Sequence, residues 1–202
     1  MIREGDLARA WTRSLVFRGT ERWRLMAEQI LVLGVGNILL RDEGVGVRVV
    51  ERLTEGYRFS TNVTLLDGGT LGLRLLDPIT QADRLIVVDA VQWGGEPGTL
   101  YRLQADDLNR RLTFKNSIHQ LDLVETLAYA DMLGCRPEAL VVGIEPADIS
   151  PWGLELTPKI AAALDRLVAA VLAEIEAAGG SFTALPEPLD PGPRAPTDQV
   201  PL

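Results

Sequence analysis

The sequence predicts an α/β protein in which a mixed five-stranded sheet lies between helices, giving a three-layer sandwich. The first observation is a set of three nearly unbroken apolar runs, which read ILVLG at residues 30–34, LIVVDA at 85–90 and ALVVGI at 139–144. Such runs are typical of strands in a parallel sheet that helices cover on both faces. The second observation is that segments with helical features separate most of the strands, as right-handed crossovers require.

Five strands are predicted in all, because two shorter apolar segments join the three long runs. In chain order the predicted strands are 30–34, 63–66, 85–90, 99–103 and 139–144. Residues 91–98 alone connect the third strand to the fourth, whereas a parallel crossover needs roughly a dozen residues or more. We therefore expect the third and fourth strands to form an antiparallel hairpin, which makes the sheet mixed.

Four helices are predicted, at residues 44–55, 70–77, 117–132 and 158–178. The third begins with Ser117 and has Gln120 three positions later, which is a capping-box pattern. The fourth has Thr157 at its N-cap and Pro158 at its first position, a combination typical of helix starts.

The chain of 202 residues divides into one predicted domain, residues 26–180, and two flanking segments. Residues 1–25 contain six arginines without apolar periodicity, so we expect a basic leader outside the fold and regard Met26 as a candidate start. Residues 181–202 hold six of the twelve prolines, which predicts a disordered tail.

Composition excludes several classes of protein. A net charge of -8 argues against nucleic acid as a partner. The single cysteine, Cys135, excludes a disulfide framework and any cysteine-rich metal site, and its position suggests an inert thiol at a helix exit. No apolar run reaches the roughly 18 residues that a membrane span needs, and the first 25 residues lack the apolar segment of a secretory signal. These features predict a cytoplasmic protein.

Polar residues follow several of the predicted strands, where sites form in α/β sheets. Asp42 suits the N-cap of the first helix, which would leave Glu43 pointing outward. Asp67 precedes two glycines and is typical of an Asx turn. Asp89 ends a buried run, where a carboxylate needs a coordinated ion or a backbone cap. His119, the only histidine, falls at the second position of its predicted helix.

Glu43, Asp89 and His119 together offer two oxygen ligands and one nitrogen ligand for a divalent metal. Zinc, nickel and manganese all suit this set, and ligand softness does not choose among them. The alternative is that the acids cap helices or turns and that the histidine is an ordinary residue of a helix start.

The segment Gly34-x-Gly36 follows a strand, as the dinucleotide-binding fingerprint does. Leu39 replaces the third glycine of that fingerprint, and the acidic residues that follow would repel a pyrophosphate. A tight turn is therefore favoured over nucleotide binding.

Residues 30–46, ILVLGVGNILLRDEGVG, closely resemble the opening motif of the hydrogenase maturation endopeptidases. Four further motifs follow in the order and with the spacing of that family, namely LDGGT at 66–70, VDA at 88–90, SIHQL at 117–121 and GIEP at 143–146. The resemblance covers about residues 30–178.

This resemblance implies a twisted five-stranded sheet between helices and a cytoplasmic protease of narrow specificity. The protease would remove a short C-terminal tail from the nickel-loaded precursor of a nickel–iron hydrogenase large subunit and so activate that enzyme. The family's metal-contacting triad corresponds to Glu43, Asp89 and His119, which would recognise nickel supplied by the precursor. Asp67 matches another acid of the family pattern, and Asp42 is a further candidate accessory residue. No organic cofactor is implied, and we expect a monomer.

The leading hypothesis is thus a nickel-recognising processing endopeptidase. The alternative is a metal-dependent docking or quality-control protein that binds the precursor without cutting it, since the sequence contains no standard nucleophile motif and no His-Glu-x-x-His. No residue is assigned as the catalytic one, and both aspartic-type and metal-assisted activation of the attacking water remain open.

Overall fold

Strands and helices alternate along the chain in a computed structural model of the protein. The structure describes residues 27–70, 72–104, 118–150 and 152–186. For residues 118–122 it describes the backbone alone. The elements are β1 (Ile30–Val35), a 3-10 turn (Arg41–Gly44), α1 (Val45–Gly56), β2 (Tyr57–Phe59), β3 (Val63–Gly69), a second 3-10 turn (Gly72–Leu75), α2 (Leu76–Gln81), β4 (Arg84–Ala90), β5 (Leu100–Gln104), α3 (Ile118–Met132), β6 (Glu138–Ile144), α4 (Pro158–Ala177) and β7 (Phe182–Ala184). The α/β class is confirmed.

The main sheet has five strands in the order β3-β1-β4-β6-β5. The first four are parallel to one another, and β5 runs antiparallel to β6. The predicted mixed sheet is therefore confirmed. Because four strands point the same way, their carboxyl ends lie along one edge of the sheet, which we call the carboxyl edge.

Helices cover both faces of this sheet, as the apolar runs predict. On one face, α1 and α4 pack against alternate strand residues such as Val32, Ile86 and Val88. On the other face, α2 and α3 pack against the intervening residues, among them Leu33 and Val87. None of the helices among the described residues is long and apolar enough to cross a membrane.

The predicted hairpin between the third and fourth strands is wrong, because β6 lies between β4 and β5. The direction of β5 is antiparallel, as expected, but its partner is β6. Burial explains the order. Most of β6 is buried on both faces, whereas β5 is half-exposed and carries Arg102 and Gln104, which suits an edge strand. The connection through residues 91–99 spans two strand spacings, about 10 Å, which a chain of this length can reach.

A second, two-stranded sheet corrects the predicted start of the tail. Residues 182–184, placed in the disordered tail by composition, form β7 and pair antiparallel with β2. The ring of Phe182 packs edge-on against Tyr57 with centroids 5.5 Å apart, so an aromatic contact holds β7 against β2. The leader, the tail from residue 187 onward and the capping residue Ser117 lie outside the described residues, so those predictions stay open.

Candidate functional site

The segments that carry the predicted site residues gather at the carboxyl edge of the sheet. The 3-10 turn Arg41–Gly44, which holds Asp42 and Glu43, contacts β4. Asp67 lies near the end of β3, and Asp89 is the penultimate residue of β4. The edge therefore has an acidic character.

Close backbone packing holds the 3-10 turn Arg41–Gly44, which we call the Glu43 turn, against the sheet. A Cβ atom added to Gly46 would lie 2.1 Å from the carbonyl oxygen of Val88 and 2.4 Å from that of Val35. Gly36 adopts a φ of 129°, and a Cβ there would lie 1.8 Å from the carbonyl oxygen of Glu43. The glycines of the opening motif thus allow the chain to pack on itself, which is the tight turn that the sequence favours over a nucleotide loop.

Gly46→Ala is expected to lower the free energy of unfolding by about 1–3 kcal/mol, the usual cost of overpacking. The two atoms that the new methyl group would meet belong to the backbone and cannot rotate away. Gly56→Ala is the matched control, since nothing lies within 4 Å of a Cβ there. Urea denaturation of both variants measures the difference, and equal stability losses would contradict this account of the turn.

The sequence suggested that the carboxylate of Glu43 points outward, but in the structure this carboxylate is partly buried. Glu43 is half-buried, and its Oε2 atom is buried. Asp89 is 4% exposed and lies by alternation on the face of the sheet that α3 covers. The two carboxylates thus approach the carboxyl edge from different layers, with Glu43 on the turn before α1 and Asp89 on β4.

His119 is the second residue of α3, as predicted. Residues 133–137 join the end of this helix to the start of β6, so the helix ends at the opposite edge of the sheet. A helix of this length extends about 20 Å, enough to return its first turn to the carboxyl edge. The side chain of His119 lies outside the described ones, among which no cluster of three metal-binding residues is found. The convergence of Glu43, Asp89 and His119 therefore stays a prediction.

Asp42 has a role that differs from the predicted helix cap. Its carboxylate is fully buried and accepts hydrogen bonds from the amides of Ala147 and Asp148, each at 2.9 Å. It also accepts from the amide and the hydroxyl of Thr157, at 2.7 and 2.9 Å. The N-cap prediction is wrong because these distant donors compete for the carboxylate. Asp42 instead ties the Glu43 turn to the segment that leads into α4.

Asp67 forms the local turn that its sequence predicts. Its Oδ1 atom accepts a hydrogen bond from the amide of Gly69 at 2.9 Å, which is the Asx arrangement. The residue is exposed, and Gly69 adopts a φ of 44°. The carboxylate therefore shapes the end of β3 and also faces solvent at the carboxyl edge.

Glu145 is a buried carboxylate to which the sequence analysis assigned no role. It follows β6, is 7% exposed, and accepts hydrogen bonds from Tyr101 at 2.7 Å and from the amide of Trp93 at 2.8 Å. The amides of Gly94 and Gly95 donate to it at 3.3 and 3.2 Å. An acid directly after a buried strand, facing a glycine-rich loop, is the signal that could have identified it.

Glu145 and Tyr101 shift each other's ionisation. Burial acts to raise the pKa of Glu145, but the hydrogen bonds from Tyr101 and from the three loop amides outweigh it and lower that pKa. Burial, followed by the bond to Glu145, raises the pKa of Tyr101 to about 12. The pair therefore favours a charged Glu145 and a neutral Tyr101, which fixes the loop after Asp89.

Glu145→Gln is expected to cost more stability at neutral pH than in acid. The charged form contributes stability that is present above the ordinary glutamate pKa of about 4.3 and is lost as the pH falls through the lower pKa of the folded protein. The measurement is the difference in unfolding free energy between the original chain and this variant across that range. Glu96→Gln, on a side chain that is 92% exposed, is the control. A difference that grows in acid would contradict the assignment.

Cys135 lies after the end of α3, at the edge of the sheet opposite the candidate site. It is a free cysteine, and its amide donates to the carbonyl of Ala130 at 2.9 Å, which closes the helix. Its place at a helix exit is confirmed, and the inertness of the thiol stays a prediction.

Comparisons with known proteins give a consistent result. A family profile described as "Hydrogenase maturation protease" matches residues 47–174. The chain is 42% identical to the hydrogenase expression/formation protein HupD of Rhizobium leguminosarum bv. viciae, over 80% of this chain and 81% of that protein. It is 40% identical to the hydrogenase 2 maturation protease of Escherichia coli, over 75% and 93%. The solved structure of the E. coli hydrogenase maturating endopeptidase HybD superposes with a TM-score of 0.73 at 38% identity, covering 77% of this chain and 97% of HybD.

Proposed function

The chain belongs to the hydrogenase maturation protease family and is a peptidase, and we propose that it removes a C-terminal tail from the nickel-loaded precursor of a nickel–iron hydrogenase large subunit. Glu43, Asp89 and His119 recognise the nickel that the precursor carries. The metal is thus part of the substrate, and the enzyme needs no organic cofactor. The protein acts in the cytoplasm as a monomer.

The packing of the Glu43 turn is the observation that carries this proposal. The close approach of Gly46 to the carbonyl of Val88 keeps that turn beside the end of β4. Val88 is the residue directly before Asp89. Asp89 lies on the face that α3 covers, and α3 begins with the segment that holds His119. The positions of Glu43 and Asp89 at this edge, and the direction in which α3 runs, support the proposal of a shared metal-recognition site with His119.

The chemistry of these groups explains how cleavage could depend on metal loading. Two carboxylates and an imidazole can complete the coordination of a nickel ion that the precursor holds through its own cysteines. This bond forms only when nickel is present, so it reports that the metal centre is loaded. It also anchors the adjacent tail on the enzyme, which turns a bimolecular encounter into a positioned one.

Cleavage of the precursor with and without nickel tests the proposal directly. Purified chain is mixed with nickel-loaded, zinc-loaded or metal-free precursor, and mass spectrometry detects the released C-terminal peptide. We expect release from the nickel-loaded form alone. Equal cleavage of the metal-free form would contradict nickel recognition, and tight binding without cleavage would favour the quality-control alternative.

A further inference from the structure

Four large apolar side chains form an exposed surface next to the Glu43 turn. Ile38 and Leu39 come from the loop after β1 and are 37% and 42% exposed. Trp152 and Leu154 come from the loop before α4 and are 79% and 56% exposed. We call these four residues the Leu39–Trp152 patch.

Backbone pairing joins the two loops side by side. Leu40 and Gly153 form a parallel β-bridge, in which the amide of Gly153 donates to the carbonyl of Leu39 at 2.9 Å. The amide of Arg41 donates to the carbonyl of Gly153 at the same distance. Leu39 and Trp152 each directly precede a bridged residue, so the bridge places these two residues next to each other. The patch therefore combines exposed residues of two distant segments.

The loops are fixed in this arrangement, and their exposure is a property of the fold. The buried carboxylate of Asp42 binds both ends of the segment that contains Trp152, at Ala147 and at Thr157. Arg41 holds a φ of 53°, a strained value for a residue other than glycine. The guanidinium of Arg48 donates to the carbonyl of Leu154 at 3.1 Å, which fixes the far side. A rigid apolar surface of this kind is typical of a protein-binding site.

The patch is continuous with the candidate site. Leu39 and Glu43 belong to the same short segment, and a Cβ added to Gly44 would lie 2.7 Å from the Cα of Ile38. A protein seated on the patch would therefore stand directly beside Glu43. A second copy of this chain in that position would obstruct the approach of a protein substrate, whereas the substrate itself would be placed for cleavage.

We propose that the Leu39–Trp152 patch docks an apolar surface segment of the precursor protein, an inference that rests on the function proposed above. Exposed tryptophan is frequent among the residues that dominate protein–protein binding energy. Four side chains form a small contact, which suits a substrate that must leave after cleavage. The patch supplies affinity for the body of the precursor, and the neighbouring site reads its metal.

Steady-state cleavage of nickel-loaded precursor by Trp152→Ala tests the docking surface. We expect KM to rise by about tenfold or more, with kcat within about twofold, because the substitution removes binding area without touching the reacting atoms. Met132→Ala is the matched control, since Met132 is 83% exposed but lies at the end of α3, at the opposite edge of the sheet. Its KM should equal that of the original chain.

Two further measurements separate the docking surface from the proposed function. Affinity for the precursor is measured by calorimetry, so that binding is followed even if no cleavage occurs, and light scattering gives the oligomeric state. Patch-dependent binding without cleavage would keep the docking surface and overturn the proposed cleavage of the precursor. Cleavage with an unchanged KM in Trp152→Ala and Leu39→Ser would overturn the docking surface alone. If the chain forms a dimer that Trp152→Ala dissociates, the occupant of the patch is a second copy, and the docking surface for the precursor is overturned too. Absence of both binding and cleavage would overturn both proposals.

Discussion

His119→Ala is expected to abolish cleavage of the nickel-loaded precursor. Loss of a group that only supports a metal ligand lowers activity by about 10- to 100-fold, so loss of a ligand itself should lower the cleavage rate by more than about a hundredfold. His119 is the only histidine in the chain, so no other imidazole can replace it. The residue lies in the first turn of α3, where alanine is well tolerated, so the melting temperature should not change. The measurements are peptide release by mass spectrometry and thermal unfolding by circular dichroism.

Cys135→Ser is the control for this experiment, because Cys135 lies at the sheet edge opposite the candidate site and should be irrelevant to cleavage. The serine variant should process the precursor at the original rate. Full processing by His119→Ala would refute the role given to the histidine, whatever the result for the control.

Asp42→Asn is expected to lower the free energy of unfolding by about 3 kcal/mol, because an amide cannot accept all four hydrogen bonds. Three donors converge on Oδ2 and one on Oδ1. In either orientation, the NH2 group of the asparagine would therefore face at least one donor instead of an acceptor. The melting temperature should fall by about 10 °C for a domain of this size. Cleavage should weaken as well, because Asp42 fixes the turn that carries Glu43.

Asp165→Asn provides the same substitution at an exposed position. The side chain of Asp165 is 84% exposed and pairs with Arg52 at the surface. Surface changes of this kind alter stability by about 0.5 kcal/mol or less. Thermal melts of both variants make the comparison, and a similar small effect at Asp42 would show that its buried network does not hold the turn.

The central part of the fold was predictable because its strands are apolar on both faces. β1, β4 and β6 are recognisable from their own residues, and α1 and α4 begin within one residue of their predicted starts. The second predicted helix, residues 70–77, was placed too early, because residues 72–75 form a 3-10 turn and α2 begins at Leu76. The position of β5 was not predictable from its connection length. The order of strands depends on which of them gains most from a central position, and that is a competition between segments distant in sequence.

The candidate site shows the same limit at the level of single residues. Asp42 and Glu43 are adjacent acids at a helix start, and their sequence context does not reveal which of them is buried. The donors that select Asp42 lie 105 to 115 residues further along the chain. Glu145 was equally hard to assign, because its partners belong to β5 and to the loop before it, 44 to 52 residues earlier in the chain. Asp67 was predictable because its partner, Gly69, is local.

The distance between Asp42 and Thr157 also sets the order in which the protein can form during synthesis. Domains fold as the ribosome releases them from the N-terminus, and Thr157 emerges 115 residues after Asp42. Closing so long a loop is slow relative to local helix formation. The turn with Glu43 consequently lacks these hydrogen bonds until all five strands of the main sheet have been translated. A nascent chain of this peptidase therefore cannot fix the turn that carries Glu43 until the segment leading into α4 has left the ribosome.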